Sequence, residues 1–175
     1  MYFFKSERLG FRNWREKDIP EFIKMNRDPK VMRYFPNILS EEESRISVER
    51  FKSCYANNSF CFYAIDKLED SSFIGFIGIS AATFKADFTP CTEIGWRLKS
   101  DEWGKGYATE GASRCLEYGF SELKLSTIYS FTPLQNKASE NVMKKIGMNK
   151  VGTFNHPSVP SDSPLVEHVL YVVTK

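Results

Sequence analysis

Apolar and polar positions change period along the chain, and each change marks an element. From Phe3 to Trp14 the two kinds interchange, which predicts a first strand with polar interruptions. Asp18-Ile19-Pro20-Glu21 predicts a helix start, with Asp as cap, Pro in the first turn and Glu reaching back. Ile19, Phe22 and Ile23 then share one helical face. Ser40-Glu41-Glu42-Glu43 forms a second capping box and opens a helix to about Ala56. Its acidic run reads as complement to the positive end of that helix or as a site for a cationic substrate; the first is the commoner use.

Ser59 to Lys67 and Phe73 to Ser80 are rich in Phe, Tyr and Ile. With Glu69-Asp70-Ser71 between them they predict a hairpin. Thr92 to Leu98 is a further strand, and Gly106 to Glu122 is helical through Ala108, Ala112, Cys115, Leu116 and Phe120. Leu125 to Thr132 is a strand stopped by Pro133, and Asn136 to Ile146 a helix ended by Gly147. Strands near Asn149 to Phe154 and Val166 to Thr174 flank a Pro-rich connection. The order β-α-α-β-β-β-α-β-α-β-β, with about seven strands and about four helices, predicts an α/β (α+β) chain around a mixed sheet.

Composition narrows the class. A chain of 175 residues predicts one domain, 1–175, large enough for a full core. With 42% hydrophobic and 26% charged residues it is neither a disordered nor a fibrous chain. A net charge of +2 is too small to argue for a nucleic-acid partner. The short apolar run at Tyr2-Phe3-Phe4 does not make a signal peptide, and no run is long enough for a membrane span. Cys54, Cys61, Cys91 and Cys115 form no Cys-x-x-Cys pair, so no metal centre is expected. Free thiols suit a cytoplasmic location.

The chemistry concentrates in Glu93-Ile94-Gly95-Trp96-Arg97-Leu98, a turn, and Trp103-Gly104-Lys105-Gly106-Tyr107-Ala108-Thr109. A strand, a glycine turn and a helix N-terminus together make an anion site, because the first helical N–H groups lack intrahelical partners. Gly104 and Gly106 let a diphosphate approach the backbone, and Lys105, Arg97 and Lys99 add positive charge nearby in sequence. No Walker loop exists. The dinucleotide fingerprint fails at Thr109, where a third glycine belongs, and Thr132-Pro133-Leu134-Gln135-Asn136 carries no acidic ribose ligand. Gly95 inside a strand marks a bulge or a close ligand approach, or else makes room for an aromatic such as Trp96.

Trp103-Gly104-Lys105-Gly106-Tyr107-Ala108-Thr109-Glu110 resembles the acetyl-CoA loop of GNAT acetyltransferases, and most closely that of the RimJ/RimL-like branch, the ribosomal-protein N-terminal acetyltransferases and their relatives. Ser6-Glu7-Arg8-Leu9 with Phe11 to Trp14, Asp28-Pro29 to Phe35, and Asn136-Lys137-Ala138-Ser139 with Lys145-Ile146-Gly147-Met148 are similar to other segments of that branch, in register over the whole chain. The resemblance implies a single GNAT-like domain with a mixed, mostly antiparallel sheet. It implies acetyl-CoA as cosubstrate and no metal. The diphosphate would lie on the loop at Gly104, Lys105, Gly106, Ala108 and Thr109, and the pantetheine arm along Trp96 and Leu98. Asn136 would hydrogen-bond that arm, although it also reads as a helix cap.

The implied reaction is direct attack of an amine on the acetyl thioester in a ternary complex. It needs a neutral amine, a donor for the oxyanion and a proton for the thiolate. Many relatives use a Tyr as the acid where this chain has Met143; the RimL-like branch instead has a Ser at the Asn-x-x-Ser position, and the resemblance implies Ser139 as the thiol-side donor, although it also reads as an exposed helix serine. Glu93 is the candidate base, with His156 and His168 as competitors. At pH 7 roughly 10–17% of an N-terminal amine is neutral, against about 0.04% of a lysine amine, so the need for a base depends on the acceptor. That acceptor is a protein N-terminal α-amine or a small-molecule amine, with Arg33-Tyr34-Phe35-Pro36-Asn37 as its wall or as an aromatic core corner. A homodimer is compatible with the fold. A non-catalytic CoA-binding sensor is the alternative function.

Overall fold

The computed structural model describes residues 1–175. Eight strands form one sheet in the order β1-β2-β3-β4-β5-β6-β8-β7. They are β1 (Phe4–Lys5), β2 (Leu9–Arg12), β3 (Phe62–Lys67), β4 (Phe73–Ala82), β5 (Cys91–Leu98), β6 (Thr127–Pro133), β7 (Asn149–Asn155) and β8 (Glu167–Thr174). The helices are α1 (Ile19–Arg27), α2 (Glu41–Asn58), α3 (Tyr107–Ser121) and α4 (Lys137–Lys145). Every neighbouring pair is antiparallel except β5 and β6, which run parallel.

The predicted elements stand, with one strand divided. The run from Phe3 to Trp14 folds back on itself, so that Phe4 pairs with Phe11 and Lys5 with Gly10. Ser6 N–H donates to Leu9 O and closes the turn. The division lets the Phe4 ring stack on Phe11 at 4.4 Å and on Tyr118 of α3 at 4.2 Å. The box at Ser40 forms as predicted: its hydroxyl accepts from Glu43 N, and the Glu43 carboxylate accepts from Ser40 N. Asp18 does not cap α1 with its side chain. Its carboxylate is taken by the buried Arg12, at 2.6 Å from Nη1 and 2.8 Å from Nη2, with Asp66 on the same guanidinium. A buried cation needs its charge matched, and that need outweighs a cap of about 1 kcal/mol.

Each face of the sheet carries a core. One cluster packs Leu9, Phe11, Ile77, Ile79, Ile94 and Leu98 with Ala112, Cys115 and Leu116 of α3. The other packs Trp14, Phe22, Val48, Phe51 and Phe76 between α1, α2 and the sheet. The alternation along β5 therefore sends Ile94 and Leu98 into the α3 core and Glu93, Gly95 and Arg97 toward α1 and α2. The four cysteines are unpaired, and no helix is long and apolar enough to cross a membrane.

Candidate active site

β5 and β6 share a single parallel pair, Glu93 with Tyr129, and part beyond it. On its other edge β5 pairs with β4 without interruption from Cys91 to Leu98, so Gly95 is no bulge. A Cβ at Gly95 would stand 3.1 Å from the Phe62 ring. The glycine makes room for an aromatic, as one reading held, but the ring is that of Phe62 and not Trp96. The parting of β5 from β6 does not depend on a bulge.

Backbone direction follows from the ladder. Lys99 N–H donates to Ile74 O, so the odd-numbered residues of β5 turn their backbone groups to β4. Trp96 and Leu98 turn theirs the other way, to the edge that β6 has left. The Leu98 carbonyl is taken by the Trp103 indole at 3.0 Å, and the Ile94 carbonyl by the Ser130 hydroxyl at 3.0 Å. The Trp96 amide and carbonyl and the Leu98 amide remain. Because the Leu98 side chain is buried in the core, only its backbone faces the gap.

The gap leads to the glycine turn. Gly104 has φ +77 and Gly106 φ +84, the left-handed region that side chains disfavour. Gly106 ends the turn as N-cap of α3. The first hydrogen bond of the helix is Glu110 N–H to Gly106 O, and the amides from Gly104 to Thr109 donate to nothing in the chain. A Cβ at Gly104 would meet nothing, so the turn lies open. These residues, with Ala108 and Thr109 in the first turn of α3, form a continuous row of unpaired N–H donors.

The charges around the turn differ from expectation. Lys99 turns away to Glu21 at 2.8 Å, and Arg97 points to Asn26 on the other face of the sheet. Lys105 remains beside the turn, paired with Glu102 at 2.8 Å. The turn is held instead by Arg8, whose role local sequence did not reveal. Arg8 binds the Glu110 carboxylate through Nε at 2.6 Å and its own amide at 2.8 Å. Its Nη1 donates to Lys105 O at 3.1 Å, and its guanidinium lies 4.6 Å over the Tyr107 ring. Ser6 Oγ adds a bond to Glu110 at 2.7 Å, and these donors hold that carboxyl below its ordinary range despite its partial burial.

Asn136 and Ser139 sit where β6 ends and α4 begins. Asn136 Oδ1 accepts from Ser139 N, which makes it the side-chain cap of α4. Its Nδ2 donates to Thr132 Oγ1 at 2.9 Å and to Ser139 Oγ at 3.1 Å. Ser139 Oγ is thus an acceptor within the chain, and its own proton is uncommitted. Met143 is 1% exposed and belongs to the core.

Glu93 opens on a cavity of about 350 Å³ between α2 and β5, shared with Arg50, Cys54, Phe62, Ser80 and Phe84. Burial pushes its carboxyl up to about 7 against the opposing pull of Arg50. Such a carboxylate is basic enough to take a proton near neutral pH. The two histidines lie 5.0 Å apart in an aromatic cluster with Phe131 and Phe154, behind Phe84, whose ring is 4.5 Å from that of His156 and borders the Glu93 cavity. Burial lowers both, His168 to about 4. Phe35 of the loop after α1 stacks 4.0 Å from the Arg97 guanidinium and is 38% exposed, so this segment covers that side of the sheet.

The chain as a whole, in sequence and in fold, is similar to known proteins. Over 151 residues the chain is 36% identical to the uncharacterized N-acetyltransferase YnaD of Bacillus subtilis, covering 85% of this chain and 84% of the relative. It is 30% identical over 160 residues to the FsC-acetyl coenzyme A-N(2)-transacetylase of Aspergillus fumigatus, covering 87% and 68%. The crystal structure of a GNAT-family acetyltransferase from Bacillus anthracis superposes with a TM-score of 0.80 at 29% identity, over 97% of this chain and 96% of that one. The family model for the acetyltransferase (GNAT) domain matches residues 8–149, and the chain belongs to that family of acyltransferases.

Proposed function

We propose that the chain, as one catalytic domain over residues 1–175, moves an acetyl group from acetyl-CoA to a primary amine in a ternary complex. The observation that carries this reading is the row of unpaired amides from Gly104 to Thr109 opening onto the gap between β5 and β6. The glycine turn fits a diphosphate, because its amides are unpaired, a Cβ at Gly104 would meet nothing, and beside Gly106 stands the Arg8 guanidinium. When bound, acetyl-CoA supplies an activated acyl group. Gly104, Lys105, Gly106, Ala108 and Thr109 hold the diphosphate, and the Trp96 backbone and the Leu98 amide pair with the pantetheine arm as a strand would. Asn136 acts chiefly through Ser139, since its amide hydrogens are already committed.

Glu93 takes the proton that the amine must lose, directly or through a water. The Ser139 hydroxyl, oriented by Asn136, donates to the departing sulfur. The acceptor is a protein N-terminal α-amine or a small-molecule amine, in keeping with the RimJ/RimL-like motifs, and the setting is cytoplasmic. Acetyl-CoA at 100 times its dissociation constant should stabilise the fold by about 2.7 kcal/mol. At about 2–4 °C per kcal/mol, melting should rise by about 5–11 °C. Release of free CoA in the presence of an amine panel then separates enzyme from sensor. Absence of a melting shift at millimolar acetyl-CoA would remove the basis of the assignment.

A further inference from the structure

The charges on the acceptor side of β5 are unbalanced. Glu93 is the only acidic side chain on its cavity, and Arg50 the only basic one. The solvent-exposed Arg50 acts on Glu93 through space without a salt bridge between them, and it pairs with no other carboxylate. Arg97 lies on the same face of β5, four residues along, or roughly 13 Å at the strand rise. Its Nη1 donates to the neutral Asn26 Oδ1 at 2.7 Å, and its Nε is enclosed with no partner. Burial and repulsion from Arg50 lower its pKa to about 10.

Arg12 shows what this chain does with a guanidinium elsewhere. Its Nε and Nη2 hold Asp66 edge-on at 2.6 and 2.5 Å. The same edge of Arg97 has no protein acceptor. Glu93, the one carboxylate on the cavity, makes no salt bridge to either arginine; the buried Arg97 and the solvent-exposed Arg50 leave this face a net positive potential that favours an anion from outside and opposes a polycation.

We propose that the acetyl acceptor is an amine that also carries a carboxylate a few bonds away, an amino acid or an amine of that kind, with Arg50 as the residue that selects it. The amine faces Glu93 and the carboxylate faces Arg50, while Phe62 and Phe84 line the space around the carbon skeleton. Arg97 adds positive potential from the same face. A cavity of about 350 Å³ suits a molecule of amino-acid size. The assignment rests on the acetyl-transfer reading above and names its acceptor class.

The test measures CoA release with acetyl-CoA and a panel of amino acids, the matching amino-acid amides, and spermidine. The acids should exceed their amides in kcat/KM by about 10-fold or more, since a hydrogen bond to a charged group is involved. R50Q should raise KM for the best acid about 10–100-fold and shrink the preference for acid over amide toward unity. R50E should move the preference toward spermidine. Amides or spermidine turned over as well as the acids, or an acid preference that survives R50Q, would overturn the acceptor assignment while leaving acetyl transfer intact. Binding of acetyl-CoA without turnover of any amine would overturn the enzyme reading and this assignment together.

Discussion

The proposed base, Glu93, would link catalysis to stability in a way that one substitution exposes. In the folded chain burial pushes its carboxyl up from the ordinary 4.5 to about 7. The difference, at about 1.36 kcal/mol per pH unit, makes the ionised form cost the fold about 3 kcal/mol. The sign is opposite to that of a salt-bridged carboxylate. Below the unfolded value the group is protonated in both states and costs nothing. As pH rises from 4.5 to 7 the unfolded chain releases the proton first, so stability falls, and above 7 the full penalty is present. Glu93→Gln keeps the shape and removes the charge. Its melting point should match the wild type at pH 4 and exceed it by about 6–12 °C at pH 8, using about 2–4 °C per kcal/mol. The same variant should lose the acidic limb of the pH–rate profile near pH 7, and its rate deficit should grow with the pKa of the acceptor amine. Thermal melts at the two pH values, paired with initial rates on amines of graded pKa, measure both effects. An equal melting difference at pH 4 and pH 8 would refute the desolvation argument. A wild-type pH profile in the stabilised variant would refute the role of Glu93 as base.

Two further expectations concern the loop and the donor. Gly106→Val forces a branched residue into φ +84 and should cost about 1–2 kcal/mol of stability while abolishing acetyl-CoA binding, read by calorimetry on the folded variant; wild-type affinity would misplace the diphosphate. Ser139→Ala should lower kcat by about 10²-fold, the lower end for proton-transfer groups, with acetyl-CoA affinity little changed; an equal loss of affinity would make Ser139 a binding residue instead.

Much of this molecule was legible in the amino-acid order because the signals were local. The Ser40–Glu43 box, the α1 face of Ile19, Phe22 and Ile23, the stop at Gly147 with φ +81 and the hairpin of β3 and β4 all depend on residues a few positions apart. So does the open glycine turn, since a residue with φ near +80 before a helix calls for glycine whatever packs around it. The candidate positions Trp96, Gly104, Gly106, Ala108, Asn136 and Ser139 follow from that local order and from the resemblance it carries.

Other features required partners that the order of residues does not bring together. Asp18 reads as a cap until Arg12 and Asp66 are placed beside it. Arg97 and Lys99 read as positive charge beside the glycine turn until strand alternation and the position of Glu21 turn them away. Arg8 reads as one residue of an opening strand, yet Glu110, which it holds, lies 102 residues on. The basicity of Glu93 belongs to no single neighbour: it is desolvation beneath α2, offset by Arg50, and exists only once helix and strand have closed over it. Short-range geometry is written into adjacent residues, whereas burial and charge pairing are sums over the folded surroundings. The tertiary structure alone therefore decided which charges face the cavity between α2 and β5.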